Sequence, residues 1–426
     1  MTVLIIGAGP GGYETALEAA RRGAEVTLIH EGPLGGVCLN EGCIPTKTFC
    51  AMAAPGVSLE QIQLRKSEVV SGFRSGVELL LTKAGVRLVN GHARFRDRKT
   101  VMCGDVEYTA DYIIVATGSR SASLPIPGAE LAGVLDSAAM LDMETLPGRI
   151  CVIGGGVIGL EFASVFSRLG SSVTVLEYCK ELLPRFDTDL SRRLRQQLAR
   201  SGIVVETAAR VKAIEPGMKV IYEKKEAEAA VECDVVLMTV GRRPDVDNLG
   251  LDAAGIDYSP KGIVVDGNMR TSADGIFAIG DVTGGMMLAH AATFQGRKAI
   301  SAIFGTSDSV RLDICPAAVF TEPELACVGK SEDDCRAEGI DIEVRKSFFR
   351  SNGKAVAMGC TEGICKIILE KDSGRILGCH IMGPHASDLI QEVTVAMNFD
   401  ASAAALRDVI HAHPTLSEVV LNALSE

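Results

Sequence analysis

The chain lacks most of what would direct it to a membrane, a nucleic acid or an oxidising exterior. No apolar run approaches the roughly 20 residues that a membrane span needs, so no crossing helix is expected. The apolar start, MTVLIIGAGPGG, has neither a basic n-region nor a small-residue cleavage site, and its first glycine is Gly7. It therefore reads as a first strand rather than a leader. No polybasic run interrupts a formal net charge of −11, which opposes attraction to nucleic acid or anionic lipid. Small molecules or another protein are the expected partners.

The 13 cysteines lack regular spacing, and their number is odd. That is not the framework of a small secreted domain; reduced thiols in the cytoplasm are expected. The 426 residues leave room for roughly two to four domains and a large core without cross-links.

What the chain does contain, it contains twice. TVLII (Thr2 to Ile6) is a β-rich run that breaks into GAGPGG, and YETALEAARRG follows with helix formers. The same order returns as RICVI (Arg149 to Ile153), GGGVIG, and LEFASVFSRLG, where Ile158, Phe162, Val165, Phe166 and Leu169 recur at helical spacing. Strand, glycine turn and helix in this order make a dinucleotide cradle. Gly7 and Gly154 permit the tight turn, Gly9 and Gly156 let a pyrophosphate approach the backbone, and Gly12 and Gly159 let helix pack on strand. The helix N-terminus supplies free N–H groups and a partial positive charge. Two cradles predict two nucleotide sites.

Each cradle also needs an acceptor for the adenosine ribose, commonly an acid about 20 positions on. Glu177, 23 positions after Gly154, meets that need in the second unit, and its charge favours NAD over the extra phosphate of NADP. In the first unit the same count from Gly7 reaches His30, with Glu31 next. Either residue is a candidate: a neutral imidazole hydrogen-bonds a hydroxyl, and Glu31 would serve if it turned inward.

GGVCLNEGCIPTK (Gly35 to Lys47) places Cys38 and Cys43 five residues apart. A metal site would need two more ligands, and no His or second Cys pair lies nearby, so no metal is expected. On an ideal helix Cα atoms five apart lie roughly 8–9 Å from each other, beyond the ~7 Å limit for a disulfide. A bridge therefore requires a bend, and a strained bridge is labile. Pro45 is expected to end or kink a helix around Cys43, and Lys47 places a cation one turn beyond that thiol. Two ordinary reduced thiols are the plain alternative.

GGVCLNEGCIPTK resembles the redox-disulfide signature of the pyridine nucleotide disulfide oxidoreductases, and its Leu-Asn and Ile-Pro wording is most like members acting on dihydrolipoamide. The likeness continues through YIIVATGS (with Gly118), GGGVIGLE, VGRRPD (with Gly241), GIFAIGDV, FTEPELACVGKSE and HAHPTLSE. It implies FAD at the first cradle and NAD at the second. It also implies that Asp281 holds the ribityl chain, Cys43 lies next to the flavin, and Cys38 is the interchange thiol. Lys47 and Glu161 match a pair of opposite charges beside the flavin. His413 matches a general base oriented by Glu418, contributed by the other subunit of a homodimer. His411 is left as structural.

The implied architecture is α/β, with two Rossmann-like dinucleotide-binding domains and an α+β C-terminal dimerisation domain. Residues 1–118 and 246–312 would form the FAD domain, 119–245 the NAD domain, and 313–426 the interface domain. The implied activity oxidises protein-bound dihydrolipoamide with NAD, on a lipoylated carrier of a 2-oxoacid dehydrogenase complex or glycine cleavage system. Glutathione-type reductases use NADPH, which Glu177 disfavours. Mercuric reductases normally carry a Cys pair near the C-terminus, whereas no cysteine follows Cys379. A low-turnover flavoprotein component of a multienzyme complex is a third reading, motivated by His30. The segment after Lys47 and the stretch after Glu418 are short for the family, which predicts an open approach to Cys38.

Overall fold

Strand Thr2–Ile6 is the middle strand of a five-stranded parallel sheet, flanked by Glu25–His30 and Tyr112–Val115 and bordered by Arg87–Asn90 and Ile276–Ala278. The structure is a computed structural model that describes residues 1–425. Near-continuous burial along Thr2–Ile6 and Tyr112–Val115 is what a parallel sheet covered on both faces demands. A second parallel sheet is built the same way around Arg149–Ile153, with Ser172–Leu176 and Val235–Met238 on either side. All its strands fall between residues 134 and 238, so it is inserted within the chain of the first sheet.

The C-terminal part is different in kind. Five strands, Ala317–Val319, Glu324–Gly329, Ile376–Gly383, Ile364–Glu370 and Ile342–Phe348, pair antiparallel in that order, with helix Ala386–Asn398 packed against them. Two Rossmann-like units and an α+β unit are the α/β architecture expected. Among the described residues no helix is long and apolar enough to cross a membrane.

Helix Cys43–Met52 lies where the three units meet. Phe49 on this helix, Phe162 and Phe166 on helix Val157–Arg168, and Val319, Leu325 and Ile364 of the C-terminal sheet belong to one buried apolar cluster. The rings of Phe49 and Phe166 lie 6.5 Å apart. Burial of each such ring contributes about 1.5–3 kcal/mol relative to exposure, and Phe49→Ala would cost about 3–5 kcal/mol by leaving a cavity. The thiol-bearing helix is thus packed on helix Val157–Arg168 of the second nucleotide unit and shares one buried cluster with the C-terminal sheet.

Candidate active site

Both glycine turns have the form their chemistry requires. Gly7 (φ 107°) and Gly154 (φ 111°) lie in the left-handed region, where a side chain would also collide with Ala116 O or Thr239 O. A Cβ on Gly12 would stand 1.8 Å from Gly7 O, and one on Gly159 2.2 Å from Gly154 O, so only glycine lets each helix close on its strand. At Gly9 and Gly156, by contrast, a Cβ would meet nothing within 4 Å: that side opens into the cavity. Helices Pro10–Arg21 and Val157–Arg168 begin there and point their N-termini at it. Both turns, with Gly118 and Gly241, line one cavity of about 3060 Å³.

The acidic candidates separate. Glu177 is buried at the end of strand Ser172–Leu176, where Oε2 accepts from the Gly155 N–H at 2.5 Å and Oε1 from the Cys179 N–H at 2.6 Å. In the first unit His30 turns its Nδ1 to Gly32 O at 2.8 Å, and Glu31 is the residue that lines the cavity, paired with His92 at 2.9 Å. Asp281 faces the cavity from the turn after Ile276–Ala278; its Oδ2 accepts from Ser119 Oγ at 2.5 Å, and Ser119 in turn accepts from Arg242 Nε at 2.7 Å. Sequence reasoning missed Ser119 and Arg242 although both stand inside quoted motifs.

The thiols meet. Cys38 lies on the short helix Gly36–Asn40 and Cys43 opens helix Cys43–Met52, with a reversal at Glu41 and Gly42 between them. Pro45 does not break this helix, contrary to expectation: it sits in the first turn, where no N–H is needed for an intrahelical bond. Both thiols are reduced, and the neighbouring Cys38 holds Cys43 down at about 7, against burial and with help from the Lys47 cation. The proximity of Cys43, with burial, pushes Cys38 up. One thiol is thereby primed as a thiolate and the other as its protonated neighbour. Cys50, the third thiol of this helix, is pushed up to about 12, chiefly by burial, and remains a neutral packing group.

Lys47 Nζ contacts both oxygens of Glu161, at 2.9 and 2.8 Å, although 114 residues separate them. The carboxylate is buried, and Oε1 also accepts the Phe320 N–H at 3.0 Å. The ammonium lies 4.5 Å from the centroid of the Phe320 ring. Phe320, quoted only as motif, is therefore part of the site. Tyr13 is another residue the sequence did not flag: burial, then Glu14 and the neighbouring Cys38, push its phenol to about 12.

His413 Nδ1 stands 2.9 Å from Glu418 Oε1, while Oε2 accepts the Thr415 N–H at 2.9 Å. The Thr415 N–H, then His413, hold the Glu418 carboxyl below its usual range. The imidazole is 78% exposed and neither residue lines the cavity that holds the thiols. His411 is buried against Glu392 at 2.6 Å, a packing role as expected.

Residues 1–296 match the family model for pyridine nucleotide-disulphide oxidoreductase, and residues 315–424 match the dimerisation domain of the same family. The chain belongs to this family. It is 37% identical over 448 aligned positions to a dihydrolipoyl dehydrogenase of Bacillus subtilis (100% of this chain, 98% of the relative). It is 39% identical over 446 positions to that of Geobacillus stearothermophilus (99% of this chain, 94% of the relative). Among solved structures, the HOCl-induced flavoprotein disulfide reductase RclA from Escherichia coli matches with a TM-score of 0.91 at 31% identity, covering 100% of this chain and 99% of that one. LpdA from Mycobacterium tuberculosis matches with a TM-score of 0.91 at 30% identity and the same coverage.

As an oxidoreductase of this family the chain uses FAD and NAD. The residues present fit both groups: two backbone cradles open at Gly9 and Gly156, with carboxylates at Glu31, Asp281 and Glu177 around them. Among the described residues, no three His, Cys, Asp or Glu side chains are grouped to hold a metal ion.

Proposed function

We propose that this oxidoreductase oxidises a protein-bound dihydrolipoamide to lipoamide with NAD, through a Cys38–Cys43 disulfide. The observation that carries the reading is the pairing of two neighbouring, mutually coupled thiols with the Lys47–Glu161 ion pair in the cavity between two dinucleotide cradles. Gly7, Gly9, Gly12, Gly118, Glu31 and Asp281 would hold FAD, and Gly154, Gly156, Gly159, Gly241 and Glu177 NAD. The domain division belongs to the same proposal: residues 1–118 with 246–312, then 119–245, then 313–426.

In the overall reaction, dihydrolipoamide and NAD+ give lipoamide, NADH and a proton. The flavin, when bound, supplies the two-electron passage between thiol and nicotinamide. A thiolate of the substrate attacks Cys38, breaking the disulfide and releasing Cys43 as a thiolate. The charge of Lys47 stabilises the Cys43 thiolate so released, and Cys38 does so once it is a thiol again. The second substrate thiol then displaces Cys38, closing lipoamide and leaving the enzyme dithiol.

His413 takes the substrate proton. Its Nδ1 is held by Glu418, which leaves Nε2 free to accept. Its exposure away from the chain's own thiols supports a homodimer in which His413 of the partner subunit serves each site. The half-buried Cys38 and the exposed Val37 beside it support an open approach for a lipoylated carrier in the cytoplasm.

The assay of choice is steady-state oxidation of dihydrolipoamide with NAD and with NADP, using the native chain, Cys43→Ser and His413→Ala. Turnover with NAD in the native chain and its collapse in both variants is expected; equal rates in all three would end the proposal. Native NADP preference would instead favour a glutathione-type reductase, and flavin without turnover a low-activity component of a complex.

A further inference from the structure

A buried charge network joins the second glycine unit to the C-terminal sheet. Lys366, on strand Ile364–Glu370, is 1% exposed, and its Nζ donates to Asp187 Oδ2 at 2.7 Å and to Glu332 Oε2 at 2.6 Å. Asp187 is equally buried, and its Oδ1 accepts the Asp189 N–H at 3.0 Å, capping helix Thr188–Arg200. His380, the register partner of Lys366 on the next strand, bonds Lys330 O at 3.0 Å through Nε2, and its Nδ1 has no partner among the described residues. Burial, with the Lys366 cation adding, keeps this ring neutral, so the cluster holds one cation and two carboxylates. Further along, Lys346 reaches Asp189 at 2.9 Å and Gln197 Nε2 reaches Glu362 Oε2 at 2.5 Å. The helix is tied to the C-terminal part at both ends.

Asp187 also closes the segment that grips the nucleotide loop. Gly155 donates its N–H to Glu177 at 2.5 Å and accepts the Leu183 N–H at 3.0 Å. Residues 177–183 thus hold both polar groups of Gly155, and Asp187, four residues on, is pinned by Lys366. Apolar contacts alone let packed elements slide. Two charge-assisted hydrogen bonds from one buried ammonium hold both carboxylates at short range of a single point. Such pairs add little net stability, yet removing one member strands the other's charge, so the arrangement specifies geometry.

We propose that Lys366 is a positioning residue for the nicotinamide half of the reaction: through Asp187 it sets where the second glycine loop stands relative to the thiol helix, which shares a buried cluster with the same sheet. The inference rests on the reading that this loop holds NAD. It separates binding from transfer, because the cradle itself is untouched while its placement against the flavin unit changes.

The test is anaerobic stopped-flow reduction of the holoenzyme, native and Lys366→Met, by NADH and separately by dihydrolipoamide. The rate of flavin bleaching by NADH should fall about tenfold or more, since small misplacements cost that much. The NADH dissociation constant should stay within about threefold, and bleaching by dihydrolipoamide within about twofold, of native. Equal losses in both arms, or no loss in either, would overturn the proposal. Should Lys366→Met fail to yield holoenzyme, Asp187→Asn, which weakens the same contact, decides: a loss confined to the NADH rate supports it, and an equal or absent loss overturns it. If native enzyme is bleached by NADH but not by dihydrolipoamide, the dithiol reading fails, while the comparison of NADH rates still decides the role of Lys366.

Discussion

Lys47 and Glu161 form a two-pronged ion pair, with Nζ 2.9 and 2.8 Å from the carboxylate oxygens, one turn from Cys43 and on the face of Phe320. The pair links the thiol helix to the second nucleotide helix, so it serves both position and charge. Lys47→Met should reduce dihydrolipoamide turnover by about 10²-fold, as removal of a preorganised charge at a reacting centre does. Lys47→Arg should restore part of it. Turnover unchanged in Lys47→Met would show that the cation acts only in packing.

The Cys43 thiol, held at about 7 by its neighbour Cys38, is ionised above that pH and protonated below it. Alkylation of the reduced protein by iodoacetamide should therefore rise as pH rises, with a midpoint near 7. In Cys38→Ala the neighbouring thiol is gone, and in Lys47→Met the cation is gone; each change should move the midpoint upward. A midpoint unmoved in both variants would contradict the cause assigned here.

The two cradles should fail independently. Gly159→Ala drives a methyl to 2.2 Å from Gly154 O and should abolish NADH affinity while the flavin content stays full. Gly12→Ala, 1.8 Å from Gly7 O, should do the reverse and yield apoprotein. Flavin absorbance and fluorescence titration with NADH read the two outcomes.

Much of this was legible because it is local. Strands Thr2–Ile6 and Arg149–Ile153 and helix Ala386–Asn398 follow from short apolar patterns bounded by glycine or a loop, and the link from His413 to Glu418 spans five residues of one turn and helix start. What failed was orientation and distance. His30 and Glu31 are neighbours at a strand end, where consecutive side chains diverge, and counting positions cannot say which one faces the cavity. Pro45 was misread because its effect depends on where the helix begins. Lys366 and Asp187 lie 179 residues apart, and nothing local in either marks the other as its partner.

His413 Nδ1 is engaged by Glu418 on an exposed surface, so removing either residue tests proton transfer with little risk to the fold. His413→Ala should lower dihydrolipoamide turnover by about 10²–10⁴-fold, and Glu418→Gln should cost less, since the imidazole remains. The bleaching of flavin by NADH should be unaffected in both. A loss of NADH bleaching equal to the loss of turnover would place His413 outside the dithiol step.

The central claim is that Cys38 and Cys43 cycle between disulfide and dithiol under the control of dihydrolipoamide and NAD. Differential alkylation of the peptide spanning residues 35–47, read by mass spectrometry, follows that cycle directly. The oxidised holoenzyme should take no label, the enzyme after one equivalent of dihydrolipoamide two, and the enzyme after subsequent NAD none again. Two labels at every stage would contradict the account.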